Sequence, residues 1–567
     1  MNRFLILALF SISLAAYAAQ PQPVRAPHAM VTSIHPLASQ AGVDILKQGG
    51  NAVDAAVAVG FALAVVHPQA GNIGGGGFLL LRHPDGETHF LDYREKAPAA
   101  ATATMYQEAN GTVIEDLSTV GYKAIGVPGS VAGMAYSQKH WGRLPLATVM
   151  APAIRLATNG FKLTAAEADD LRNEHLSQFP GSKRIFQRNG RYYEAGEVLK
   201  QPELARTLRR IAANPDDFYH GSLARELAAA MQKGGGLITA KDLADYEVKE
   251  RPAIHGTYRG HDIYSAPPPS SGGIVLMETL NILEGYDLAK LGRNAQTEHL
   301  TAEAFRRAFY DRAEFLGDPD FTALPVAQLT DKKYGAAWRA SLDPDHATRS
   351  NDLKRPAEFN QLERLASLHV HMHEPEDTTH FSVVDAAGNA VAVTTTLNGS
   401  FGSFVTANGL GFLLNNEMDD FASAPGVPNM YGLLQGPANA IGPGKRPLSA
   451  MTPTIVTKDG KLVLVAGSPG GPTIITTVAN ILMGVIDYGM NIQETVNAPR
   501  YHHQWLPDLI LAEDAFPDQD VKALEKMGHK FERRKHWGDA ECIAIHPITG
   551  ERLGAADYRN GGRAIGY

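Results

Sequence analysis

Residues 377–398 read DTTHFSVVDAAGNAVAVTTTLN. Two β-branched runs, THFSVVD (379–385) and AVAVTTTL (390–397), flank the turn residues AAGN, a pattern that predicts a β-hairpin. Just before them, residues 346–377 are charged, with few large apolar side chains, and read as an exposed, loosely held connection. The Asp377–Thr378 bond therefore lies where that connection enters a core strand. A hydroxyl attacks poorly at neutral pH unless a base takes its proton. A threonine that begins a chain carries such a base, because its α-amino group has an ordinary pKa of about 7.7–8.0. In mid-chain it must first be exposed: the Thr378 hydroxyl attacks the Asp377 carbonyl, the chain shifts to an ester, and water completes the cut. The released piece would hold 190 residues (567 − 377). Most Thr-Thr pairs at strand starts are structural, so these residues alone permit the cut without singling it out.

Outward from the hairpin, TPTIVT (452–457) and KLVLVAG (461–467) predict a second strand pair around Lys458-Asp459-Gly460. SPGGP (468–472) then opens an amphipathic helix with Ile474, Val478, Leu482 and Val485 on one face, and Pro472 suits its first turn. Upstream, AVDAAVAVGFALAVV (52–66) is short for a membrane span and carries Asp54; a buried helix of small side chains is expected. The glycines Gly74 to Gly77 precede the strand-like FLLLR and mark backbone passing close to another group. No GK[ST] follows them, and GPGKRPLS (442–449) has the wrong glycine spacing, so neither is a phosphate loop. Residues 101–345 read as mostly helical, with loops. Strand pairs followed by helices suggest layered sheets covered by helices.

With 44% hydrophobic and 20% charged residues the 567-residue chain has a globular composition, and its net charge of −8 without a long basic run argues against a nucleic-acid partner. MNRFLILALFSISLAAYAAQ carries Arg3, an apolar run from Phe4 to Leu14, and a small-x-small site at Ala16-Tyr17-Ala18. It fits a signal peptide over residues 1–18 better than an uncleaved anchor, which implies a periplasmic or secreted protein with no stable membrane anchor. Cys542 stands alone in the apolar ECIAI, where a buried small residue is a better reading than a nucleophile.

DTTHFSVVDAAGNAVAVTTTLN, together with LLNNEMDDF, PGVPNMYGL, GPGKRPLSAMTPTIV, GSPGG and NAPRYHHQW, resembles the small subunit of the gamma-glutamyltransferases, also called glutathione hydrolases. GGNAVDAAVA, GGGGF and DYREKAP extend the likeness to the large subunit. The resemblance implies an α+β fold of the N-terminal-nucleophile hydrolases, a four-layer αββα sandwich built from both pieces of a self-cleaved precursor. The large subunit would be 19–377 and the small subunit 378–567, held as a heterodimer.

The resemblance also implies roles. Thr378 would be the nucleophile and its amine the base, with Thr396 holding that amine; an ordinary strand threonine is the plainer alternative. Gly470 and Gly471 would offer two N–H groups to an oxyanion, although a plain strand-to-helix turn needs the same residues. Arg94 would bind the substrate's α-carboxylate, unless it is a solvated surface arginine, and Ser449 would add a hydroxyl. Many relatives have Ser-Ser where this chain has Ser449-Ala450, a loss of about 0.5–1.5 kcal/mol if the missing hydrogen bond is neutral. Asn398, Glu417 and Asp420 would bind the α-ammonium; a capped, solvated acidic turn is the alternative. Residues 425–436 resemble a lid loop closed by Tyr431, as opposed to a surface loop without function.

A cation pole beside an anion pole selects an α-amino acid head group and leaves a γ-amide at Thr378. The expected substrates are glutathione and other γ-glutamyl compounds, the acceptors water, amino acids or dipeptides, and no cofactor is needed. Two alternatives stand beside this: a cephalosporin or glutaryl acylase, and a non-catalytic γ-glutamyl-binding protein. His371, His373 and His380 form H-x-H-x6-H, with His502-His503 later, but a cut before Thr378 would separate them, and no metal site is expected.

Overall fold

The computed structural model describes residues 21–357, 378–407, 409–424 and 426–567. Asp377, the leader at 1–18, most of the connection at 358–377, and His371 and His373 fall outside these residues.

Two seven-stranded antiparallel sheets form the centre. One runs Arg563–Gly566, Met30–Ser33, Thr378–Val384, Ala390–Thr396, Gly76–Arg82, Thr88–Asp92 and Lys249–Arg251. The other runs Val24–Ala26, Arg552–Ala555, Cys542–Ile545, Lys461–Ala466, Thr454–Lys458, His261–Ser265 and Ile254–Tyr258. Each sheet takes strands from both sides of the Asp377–Thr378 bond.

Side-chain alternation explains the layering. In Gly76–Arg82, Leu79 and Leu81 join the core under the helices Pro36–Lys47 and Ala52–Val66, whereas Phe78 and Leu80 face the second sheet. Val391 and Val393 point to the helix side, and Ala390 and Ala392 to the sheet side. A strand covered on both faces needs apolar residues at every position, not at alternate ones, and all seven residues of each of these strands are buried. The second sheet is covered in turn by the helices Gly272–Leu283, Ala295–Phe315 and Thr473–Ile486. Helix, sheet, sheet and helix make the expected αββα order.

The two predicted hairpins and the helix after SPGGP are present. Every residue of Ala52–Val66 is buried, and its Asp54 closes a capping box with Asn51. Two expectations need correction. The region 101–345 is not only helix and loop: Lys249–Arg251 and Ile254–Tyr258 supply an edge strand to each sheet, and His261–Ser265 is the strand next to the edge of the second. Nor is the start of the charged connection loose. Ser350 is buried, its N–H donates to Asp508 at 2.9 Å, and the Arg355 guanidinium pairs with Asp311 and Glu314 at 2.6 and 2.8 Å. These charges are paired inside the protein, which composition does not reveal.

Candidate active site

The first hairpin sets the geometry. Its register pairs Thr378 with Thr396 at the open end of the ladder, and the two hydroxyls lie 3.2 Å apart. The Thr396 hydroxyl also accepts from the Asn398 N–H at 2.8 Å. Thr396 thus meets the hydroxyl of Thr378, beside the amine that the sequence reading assigned to it. Asn398 has φ +77° and is held there from both sides: its amide donates to the Asn416 carbonyl at 3.0 Å, and its own carbonyl accepts from the Tyr431 hydroxyl at 2.8 Å. The glycine cluster has the close approach expected of it. A Cβ on Gly75 would fall 2.0 Å from the Thr396 carbonyl oxygen, so that strand seats Thr396 only because Gly75 has no side chain.

Gly470 and Gly471 both take left-handed backbone, φ +130° and +51°, just ahead of the helix Thr473–Ile486. Both are buried, yet neither N–H donates to a protein partner among the described residues. Buried N–H groups are rarely left that way, and a helix N-terminus adds positive potential. Together they suit an oxyanion. A Cβ on Gly471 would lie 2.9 Å from the Tyr431 ring, so the glycine also makes room for the loop.

A pocket joins these groups; Thr378, Thr396, Asn398, Tyr431 and Gly471 line it with Arg94, Arg312, Glu417, Asp420, Ser449 and Ala450. Arg94 is buried, so it is not a solvated surface arginine. Its two terminal nitrogens bind Glu417 and Asp420, and its Nε donates to the Pro447 carbonyl at 3.2 Å. The expected cation and anion poles therefore touch. Burial pulls the Arg94 pKa down, but Glu417, Asp420 and Glu95 outweigh it and hold the group charged. Burial raises Glu417 well above the carboxylate range, with Glu95 and Asp420 adding to the effect against Arg94. Glu95 is pushed up to about 7, chiefly by burial. Ser449 accepts from the Met451 N–H at 3.0 Å, which leaves its own O–H to donate.

Glu417–Asp420 forms one buried 3-10 turn, not a solvated one, and it holds the loop that follows. Asp419 accepts from the Ser118 hydroxyl at 2.7 Å and from the Met430 N–H at 2.9 Å, and Asp420 accepts from the Asn429 amide at 3.2 Å. Tyr431 is thereby buried over the cavity.

A family model described as gamma-glutamyltranspeptidase matches residues 38–567. The chain belongs to the gamma-glutamyltranspeptidase family. It is 48% identical to the glutathione hydrolase proenzyme of Escherichia coli (strain K12), over 99% of this chain and 98% of the relative. It is 37% identical to the acylase ACY 1 proenzyme of Pseudomonas sp. (strain SE83), covering 97% and 96%. A crystal structure of cephalosporin acylase from Bacillus halodurans superposes with a TM-score of 0.83 at 28% identity, over 99% of both chains.

The other histidines and the cysteine of the sequence reading are packed into the core. His380 hydrogen-bonds Thr394 and Ser382 at 2.8 and 3.1 Å and is pushed down to about 3 by burial. His502 bonds Thr476 and Gln504 at 3.0 and 2.9 Å. Cys542 is buried, and burial raises its thiol to about 12, which makes it inert. Four residues around the cavity went unnoticed in the sequence: Asp419, Asn416 and Asn429, which hold the loop, and Arg312. Among the described residues no helix is long and apolar enough to cross a membrane.

Proposed function

We propose that this chain is a gamma-glutamyltransferase and glutathione hydrolase that activates itself by cutting Asp377–Thr378. The observation that carries the reading is one cavity holding the Thr378 hydroxyl, an arginine facing carboxylates, and the turn whose N–H groups have no protein partner among the described residues. After the cut, the Thr378 amine takes the hydroxyl proton as the oxygen attacks the γ-carbonyl. The oxyanion of the tetrahedral intermediate meets the Gly470 and Gly471 N–H groups. The amine returns the proton to the departing nitrogen, which leaves a γ-glutamyl ester on Thr378. Water, or the amine of an amino acid or dipeptide, then attacks the ester by the same route in reverse.

In this reading Arg94 and Ser449 hold the α-carboxylate, while Asn398, Glu417 and Asp420 hold the α-ammonium. The contact between Arg94 and the two acids then becomes a rest state: the substrate's own charges enter a preformed ion pair instead of an empty pocket. Tyr431 closes the cavity and limits water, which favours transfer. The leader at 1–18 would export the protein to the periplasm or medium, and 19–377 with 378–567 would remain as a heterodimer.

An acylase reading has the cephalosporin acylase likeness in its favour. A glutaryl group, however, has no α-ammonium to meet Glu417 and Asp420. Purified protein should give two pieces, one with Thr378 as its N-terminus, and Thr378→Ala should stay whole. The mature protein should hydrolyse γ-glutamyl-p-nitroanilide in preference to glutaryl-p-nitroanilide. The reverse preference would establish the acylase, and an uncut protein active on the γ-glutamyl anilide would refute the N-terminal nucleophile.

A further inference from the structure

Arg312 sits near the end of the helix Ala295–Phe315, 2% exposed, and its side chain reaches the cavity that Thr378 lines. Arg306, Arg307, Arg355, Arg446 and Arg559 are also buried, and each is paired with a carboxylate. Arg312 has no such pair among the described residues. Its Nε donates to the Ser271 hydroxyl at 2.9 Å, and its Nη1 has no hydrogen-bond partner among the described residues. A buried cation without a counter-ion is costly and normally has a reason to be kept.

Its surroundings indicate the reason. Ser271 passes the contact on, since its hydroxyl donates to the Ser449 carbonyl at 2.7 Å and its N–H to the same oxygen at 2.8 Å. Arg312 is thereby fixed against the segment that carries Ser449 and Ala450. Arg94, by contrast, already has both terminal nitrogens on Glu417 and Asp420. An incoming carboxylate meets one cation that is neutralised and one that is not. Burial lowers the Arg312 pKa to about 10, partly offset by Asp420, so it stays charged at neutral pH. Ala450 lines the same cavity and offers no hydroxyl.

We propose that Arg312 is a second carboxylate-binding cation, which takes the substrate's α-carboxylate through Nη1 on the Ser449 side and fixes specificity for it. This rests on the γ-glutamyl reading above. The specificity can be read from two anilides that differ only in that carboxylate: γ-glutamyl-p-nitroanilide and 4-aminobutanoyl-p-nitroanilide. A lost charge-assisted hydrogen bond corresponds to about 10- to 100-fold. Arg312→Gln should therefore lower the ratio of the two kcat/KM values about 10- to 100-fold, mainly through KM for the γ-glutamyl compound, and Arg312→Lys should recover part of it. Ser271→Ala, which frees Nε, should lower the ratio less. Equal losses on both substrates would make Arg312 purely structural, and an unchanged ratio would remove it from the site; either result overturns the proposal. If Arg312→Gln does not mature, Arg312→Lys and Ser271→Ala decide by the same ratio. A wild-type enzyme with no preference between the two anilides would refute the γ-glutamyl reading itself, and this inference with it.

Discussion

Thr396→Val is the most telling perturbation of the nucleophile's surroundings. Valine keeps the shape of the strand residue but loses the oxygen that lies 3.2 Å from the Thr378 hydroxyl and 2.8 Å from the Asn398 N–H. The Asn398 N–H is then buried without its acceptor, a cost of about 1–3 kcal/mol. That cost falls on a residue already held at φ +77°, whose carbonyl anchors the Tyr431 hydroxyl. Expressed in rate, it corresponds to roughly 5- to 150-fold. The loss should appear twice: as slower conversion of precursor into two pieces on a denaturing gel, and as lower kcat for γ-glutamyl-p-nitroanilide once matured. Thr396→Ser, which keeps the oxygen, should stay close to wild type in both. If Thr396→Val matures and turns over within twofold of wild type, the hydroxyl pair has no part in either reaction.

Gly471→Ala should lower kcat about 10- to 1,000-fold with maturation less affected, because the new Cβ meets the Tyr431 ring at 2.9 Å and φ +51° disfavours it; stopped-flow release of p-nitroaniline would measure this. Asp419→Asn should weaken the hold on Met430 and raise the hydrolysis-to-transfer ratio several-fold, read by product analysis with glycylglycine as acceptor. Glu95, raised to about 7 by burial, binds more protons folded than unfolded between about pH 4.5 and 7, so its contribution to stability falls as pH rises through that window. In an uncut Thr378→Ala background, Glu95→Gln should therefore be the more stable protein at pH 8, by an amount of order 3 kcal/mol, and lose that advantage by pH 5, as followed by urea midpoints.

Much of the fold could be read from local pattern. The hairpin around AAGN, the buried helix 52–66 and the SPGGP turn each carry a strong signal within about twenty residues, and each depends on backbone geometry that only certain residue types tolerate. Long-range pairing left far less trace. The helix Ala295–Phe315 carries Glu303, Arg306, Arg307, Asp311 and Arg312, the composition of a solvated face, yet every residue except Gln296 is buried. Glu303 pairs within the helix with Arg306 and Arg307, whereas Asp311 pairs with the distant Arg355; nothing local distinguishes Arg312 from these neighbours. The contact between Arg94 and Glu417 likewise spans 323 residues. The strands 254–258, at the sheet edge, and 261–265, next to it, are short and half polar, and so lacked the apolar run that marks the central strands.

The interleaving of strands in the two sheets sets an order of events. Thr378–Val384 lies between Met30–Ser33 and Ala390–Thr396, and Lys461–Ala466 and Thr454–Lys458 share a sheet with Val24–Ala26 and His261–Ser265. Neither of the two proposed fragments would own a complete sheet. The intact backbone is a tether that the molecule needs once, to bring partners into register at high local concentration. Scission afterwards removes the tether and no strand pairing. With the proposed cut made, a denatured mature enzyme would have to bring two chains together by collision before either sheet could re-form.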